Sequence, residues 1–283
     1  MAIPFRSLTR RLEHRKRKST RPFHPVKINT QHIRSLKGKQ PVTALAVYDA
    51  TSAALASEAG VDLLLVGDSM GNVILGFPNT LPVTLDMILH HTAAVARAKP
   101  ASLVVSDIPF TEAHRDADIL LAAAARCLQE AGAEAVKIEG GVTMADKIRR
   151  LTAAGVPVLA HIGLLPQQIY QMGGYRRFGK TPEERESLLA DARAVTAAGA
   201  FAVVAEMVDH ETAGVIARDI PVPLIGIGSG PHCDGQILVG QDVLGLTPGK
   251  TPAFVKAYAR LGEEVKTAFS NYVREVRERK FPT

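Results

Sequence analysis

Leu63-Leu64-Leu65-Val66-Gly67-Asp68-Ser69-Met70-Gly71 is the stretch on which the reading of the fold turns. Four consecutive aliphatic side chains, with no polar alternation, read as a strand buried on both faces. The run then stops on a glycine, a carboxylate and a hydroxyl. The same phrase recurs along the chain. An alanine-rich helical segment ends in glycine and gives way to a short apolar run. It appears as Glu58-Ala59-Gly60 before 61–66 and Glu130-Ala131-Gly132 before 135–138. It returns as Ala153-Ala154-Gly155 before 156–160 and Ala197-Ala198-Gly199 before 201–205. Glycine just past a helix end takes the left-handed cap without a Cβ penalty.

Helix, cap and buried strand repeated in this way predict βα units around a parallel sheet. Further strands are expected at 43–48, 103–106, 223–226 and 237–244, with helices at 84–98, 116–131, 145–153, 182–198 and 211–218. Eight βα units favour an α/β fold of the (β/α)8 TIM-barrel type, with an open doubly wound sheet as the alternative. Residues 252–280 read as a charged C-terminal helical segment packed outside the barrel. No low-complexity linker interrupts 25–283, so this stretch is read as one domain.

The chain of 283 residues carries a formal charge of +6, which invites a nucleic-acid reading. The distribution argues otherwise. Residues 1–24 hold eight arginines and lysines against the single Glu13, a net of +7, which leaves −1 for everything after them. The basic charge belongs to an N-terminal extension, expected to be a solvated tail or a targeting or surface-binding segment. No nucleic-acid partner is expected for the body. No apolar run approaches the length of a membrane span, so no membrane partner is expected either. Two cysteines, Cys127 and Cys233, offer no disulfide framework and point to a reducing, cytoplasmic setting.

The strand ends carry the chemistry. The second expected strand runs into Asp68-Ser69, the third into Asp107, the fourth through Lys137 to Glu139, the fifth into His161 and the sixth into Glu206. In a TIM barrel these ends converge on the face where active sites sit. Each residue alone has a plain reading as a cap, a turn former or a paired core group. Together, several carboxylates on one small face would repel each other, and partly buried ions cost several kcal/mol each unless compensated. A single lysine does not neutralise them, and a divalent cation does. Carboxylate oxygens with retained waters are the ligands magnesium prefers. Two glycine-rich loops remain. Gly173-Gly174-Tyr175-Arg176-Arg177 is basic and placed to close over an anionic ligand, and Gly226-Ile227-Gly228-Ser229-Gly230 permits close backbone approach or phosphate binding.

From about residue 25 onward the chain resembles the ketopantoate hydroxymethyltransferase family. The resemblance is carried by Tyr48-Asp49, Val66-Gly67-Asp68-Ser69-Met70-Gly71, Thr80-Leu81-Pro82-Val83-Thr84 and Asp107-Ile108-Pro109-Phe110. It continues through Val136-Lys137-Ile138-Glu139-Gly140-Gly141, His161-Ile162-Gly163-Leu164, Pro166-Gln167, Gly173-Gly174-Tyr175, Gly226-Ile227-Gly228 and Asp234-Gly235-Gln236. It implies a (β/α)8 barrel and transfer of a hydroxymethyl group from methylene tetrahydrofolate to 3-methyl-2-oxobutanoate, giving ketopantoate for pantothenate. By the same resemblance Asp68, Asp107 and Glu139 are associated with Mg2+. Asp68, Ser69, Asp107, Lys137 and His161 contact the 2-oxoacid, and Glu206 is the proton acceptor. Homo-oligomers, commonly decamers, are implied as well. The chain departs from the family at Ala46 and Leu165, where threonine is usual, and in the phrase around Glu206. The alternative is another Mg-dependent 2-oxoacid aldolase or lyase on the same barrel.

Overall fold

The computed structural model describes residues 26–249 and 251–282, so the basic extension at 1–24 lies outside the described residues. Eight parallel strands close into a barrel in sequence order. They are β1 (Val42–Ala46), β2 (Leu63–Val66), β3 (Leu103–Asp107), β4 (Ala135–Glu139), β5 (Val158–Gly163), β6 (Ala202–Glu206), β7 (Leu224–Ile227) and β8 (Gly235–Val239). Closure runs through the β1–β8 seam, where Val42 pairs with Gly235 and Ala46 with Val239. The sheet is closed, and the open-sheet alternative is excluded.

Outward-facing and inward-facing strand residues sort into two apolar sets. Val136, Ile138, Val158, Ala160, Val203 and Ala205 pack outward against helices such as Ala117–Gln129, Ala145–Ala153 and Pro182–Ala197. Leu63, Leu65, Leu103, Val105, Leu159 and Val204 fill the barrel interior. Because side chains alternate along a strand, the next inward positions above this plug are Asp107, Lys137, Glu139, His161 and Glu206. The strands are buried on both faces, as expected, and the inward stripe turns polar at the C-terminal mouth.

The repeated helix-end glycines behave as the sequence predicts. Gly60, Gly132, Gly155 and Gly199 adopt φ of 87°, 75°, 88° and 101°. The helix starts are capped in turn: Asp49 accepts from the Ser52 N–H, and Thr181, with Pro182 at the first helical position, accepts from Glu184 N–H.

Three expectations are corrected. The eighth strand spans Gly235–Val239 rather than 237–244, because Gly240 begins a one-turn helix, Gly240–Val243, that places the second apolar pair off the sheet. The β7–β8 connection at 228–234 contains no helix, so this one crossover of the (β/α)8 barrel is a loop. The C-terminal helix is Leu261–Arg277, shorter than expected, and none of its residues is buried. It therefore does not pack onto its own barrel. Residues 251–260 are non-helical, and the helix starts only after Arg260 at its N-cap.

Candidate active site

The register of the sheet brings the strand-end groups together. Asp107 pairs with Lys137 across β3–β4, Glu139 with His161 across β4–β5, and Gly163 with Glu206 across β5–β6. Lys137 Nζ donates to both oxygens of Asp107, at 3.0 and 2.9 Å, and to Glu139 Oε1 at 3.1 Å. Asp107 Oδ2 also accepts from the Asp68 backbone N–H at 3.1 Å, which ties the loop after β2 to the end of β3. His161 stands between two carboxylates, with Nδ1 3.4 Å from Glu139 Oε1 and Nε2 3.4 Å from Glu206 Oε2. These contacts are close enough for charge attraction but leave both ring nitrogens without a well-formed hydrogen bond.

Burial governs the charges. Asp68, Asp107, Lys137, Glu139 and His161 are all buried, whereas the Glu206 side chain keeps 17% of its exposure. Burial raises the Asp68 carboxyl well above the ordinary carboxylate range, and the charges of Asp107 and Glu139 add to it, only partly relieved by Lys137 and Gln167. Asp107 is raised by burial too, against the opposing Lys137 charge. For Glu139 burial is outweighed by Lys137, His161 and the Gln167 N–H, which hold it near 2. Burial would depress His161, but Glu139 and Glu206 lift it to about 9. Lys137 stays above its ordinary value because the surrounding carboxylates outweigh its burial.

The site therefore holds four carboxylates against two cationic side chains. No three His, Cys, Asp or Glu side chains among the described residues converge into a ready-made metal cage. Magnesium, where a protein binds it, keeps several waters and is commonly held by one or two carboxylates together with substrate oxygens. A cation beside Asp68 would offset the Asp107 and Glu139 charges that add to its burial. Asp68 and Asp107 both line a cavity of about 260 Å³, together with Ser69, Lys137 and Glu206. Glu139 and His161 do not line it, so they bear on that cavity through Lys137 and Glu206.

Two polar residues near the acids carried no assigned role in the sequence reading. Gln167 is buried, donates from Nε2 to Asp68 Oδ2 at 2.9 Å and to the Ile108 carbonyl at 3.0 Å, and gives its backbone N–H to Glu139. Tyr48, at the end of β1, is buried with its hydroxyl 2.8 Å from Ser69 Oγ. The strand-end rule that found Asp107 would have found Tyr48, had tyrosine been counted beside the ionised groups.

A parallel (β/α)8 barrel with a buried acid–lysine–histidine cluster at its C-terminal mouth defines an enzyme of the barrel class. Solved structures agree on the fold. The chain superposes on phosphoenolpyruvate phosphomutase from Streptomyces platensis subsp. rosaceus with a TM-score of 0.58 at 16% identity, over 88% of each chain. It superposes on 2,3-dimethylmalate lyase, a PEP mutase/isocitrate lyase superfamily member, with a TM-score of 0.57 at 18% identity, over 88% of this chain and 87% of that one. Sequence relatives are much nearer. The 3-methyl-2-oxobutanoate hydroxymethyltransferase of Pyrobaculum calidifontis is 49% identical over 91% of this chain and 96% of its own length. That of Shouchella clausii is 48% identical over 86% of this chain and 87% of its own. The ketopantoate hydroxymethyltransferase family profile matches residues 27–283. The chain belongs to the ketopantoate hydroxymethyltransferase family and is a transferase.

Proposed function

We propose that this enzyme transfers a hydroxymethyl group from methylene tetrahydrofolate to 3-methyl-2-oxobutanoate, giving ketopantoate. The observation that supports this most is one cavity lined both by Asp68, Ser69, Asp107, Lys137 and Glu206 and by apolar side chains such as Leu65, Val204 and Ile237. A branched 2-oxoacid likewise joins a charged head to an apolar branch. Lys137, kept cationic by its carboxylate neighbours, offers its charge to the substrate carboxylate. Ser69, oriented by the Tyr48 hydroxyl, offers a hydrogen bond beside it.

Asp68 and Asp107 would hold Mg2+, with Glu139 acting through Lys137. Bound there, the ion would polarise the keto oxygen and lower the cost of removing the C3 proton. Glu206 is the proton acceptor in this reading, supported by its place on the cavity wall, its partial exposure and its contact with His161. Both carbon–nitrogen bonds of the donor's methylene bridge break with their electron pairs left on nitrogen, water supplying the two protons to the nitrogens and its oxygen to the carbon as a formaldehyde equivalent. C3 then bonds to that carbon as its carbonyl π bond opens, and the proton held by Glu206 passes to the oxygen to complete the hydroxyl.

The deciding assay combines 3-methyl-2-oxobutanoate and methylene tetrahydrofolate with and without magnesium. Ketopantoate is expected only from the complete mixture, and turnover of a 2-oxoacid without folate would favour the aldolase or lyase alternative. The same reading places the enzyme in the cytoplasm, consistent with its two free cysteines and with no described helix long and apolar enough to cross a membrane. It also makes the enzyme a homo-oligomer.

A further inference from the structure

The acids, Lys137 and Ser69 on the cavity wall are accounted for by the oxoacid, but two aromatic rings on the same lining, Tyr175 and Phe254, are not. Neither ring joins any of the barrel's hydrophobic clusters, so packing of the core does not explain their positions. Phe254 has a built seat. A Cβ at Gly228 would lie 2.9 Å from Phe254 Cδ1 and 2.8 Å from Met207 Sδ, so the glycine leaves the space the ring occupies. The loop carrying Phe254 is tied down at both ends. Thr247 Oγ1 donates to Asp242 Oδ1 at 2.5 Å, and Tyr258 N–H donates to the Val243 carbonyl at 2.8 Å. Tyr175, 65% exposed, follows Gly173 and Gly174, both at positive φ.

We propose that Tyr175 and Phe254 form the binding surface for the flat pteridine end of the one-carbon donor. This rests on the hydroxymethyltransferase reading given above. The donor's methylene carbon must reach C3 of an oxoacid seated on Asp68 and Lys137, so its reacting end shares their cavity. A larger cavity of about 560 Å³, lined by Phe110, His114, Met144, Lys147 and Tyr170, touches the acid cluster only through Gln167. Gln167 is buried and bonded to Asp68, and a donor beyond it is walled off from the reacting carbon. The 260 Å³ of the acid-lined cavity is below the roughly 300–1,000 Å³ that encloses a drug-sized ligand. It holds the oxoacid and the reacting end of the donor, while the rest of the donor extends past the exposed Tyr175 ring. Offset stacking on an aromatic face suits a planar heterocycle.

The test separates the two substrates. Exchange of the C3 proton of 3-methyl-2-oxobutanoate into deuterated water, followed by proton NMR without folate, reports oxoacid binding and Glu206. Steady-state turnover reports the donor. Phe254→Ala and Tyr175→Ala should each raise the KM for methylene tetrahydrofolate by about tenfold, the loss of one stacked ring, while C3 exchange changes far less. Phe254→Tyr and Tyr175→Phe should restore most of the donor affinity. Equal losses in exchange and in donor KM would make the rings structural and overturn the assignment. So would a raised donor KM in Lys147→Ala with the ring variants unaffected. Absence of both exchange and ketopantoate in the unsubstituted enzyme would remove the reaction itself. Normal exchange and turnover with an unaltered donor KM in the ring variants would remove this assignment alone.

Discussion

Glu206 and Asp107 show how two carboxylates on neighbouring parts of one mouth acquire different tasks. Glu206 is partly exposed and stands against His161, whereas Asp107 is sealed in and shared between Lys137 and the Asp68 backbone. Glu206→Gln keeps the shape and removes the basicity. Ketopantoate formation should fall by about 10²–10⁴-fold, the usual worth of a positioned base, while calorimetric oxoacid binding is retained. Full activity would discard Glu206 as the base. Asp107→Asn removes a charge without opening a cavity, so the magnesium concentration for half-maximal activity should rise steeply, and an unchanged metal titration would count against the ligand role. The acids, lysine and histidine following β2 to β6 were legible because a buried strand that ends on a charge is costly unless the charge is compensated, whereas Tyr48 after β1 was passed over. Gln167 was not legible as part of the site. An amide on a loop has no periodicity to mark it, and only the fold shows that it spans from Glu139 to Asp68.

At the level of elements, placement of the base depends on how closely β5 approaches β6. Gly163 ends β5 at φ 93°, and a Cβ there would lie 2.3 Å from the Glu206 carbonyl oxygen and 2.8 Å from Val208 Cγ2. That carbonyl also accepts from Leu164 N–H at 2.8 Å. Backbone cannot step aside as a flexible side chain does, so Gly163→Ala should displace the end of β6 and Glu206 with it. Gly155, at φ 88° with nothing near its Cβ position, supplies the comparison. Gly155→Ala carries only left-handed strain of about 1–2 kcal/mol, and Gly163→Ala adds about 1–3 kcal/mol of overpacking. Urea midpoints should rank the two accordingly, and only Gly163→Ala should lose turnover beyond its loss of folded protein. Strand existence was readable from the unbroken aliphatic runs, and the helix ends from their glycines. The end of β8 was not, because Val243-Leu244 continues the apolar character of Ile237-Leu238-Val239 while Gly240 turns the chain between them.

At the scale of the whole molecule, the barrel ends with a helix that its own body does not cover. Leu261–Arg277 presents Val265, Phe269, Tyr272, Val273 and Val276 along one side, at exposures between 39% and 67%. Their spacing follows the helical period, which marks a face built to pack. An isolated helix of this length is marginal in water, since most helical stability in proteins comes from burial of such a face. Composition alone showed a charged helical segment. The fold adds that, apart from the Phe281 ring set edge-on against Tyr272, its apolar side is left exposed by the described chain. Burying a large apolar side chain contributes about 1.5–3 kcal/mol, so a self-assembled oligomer that covers these five would gain several kcal/mol for each protomer. Phe269→Asp combined with Val273→Asp places two charges in the middle of that face without touching the barrel mouth. Sedimentation velocity should then show a smaller species than the unsubstituted enzyme, with reduced helical signal in circular dichroism as the freed helix frays. An unchanged mass would show that the assembly is held by other surfaces. An unsubstituted enzyme that sediments as a monomer would remove the homo-oligomer altogether and leave the helix face without a self-partner.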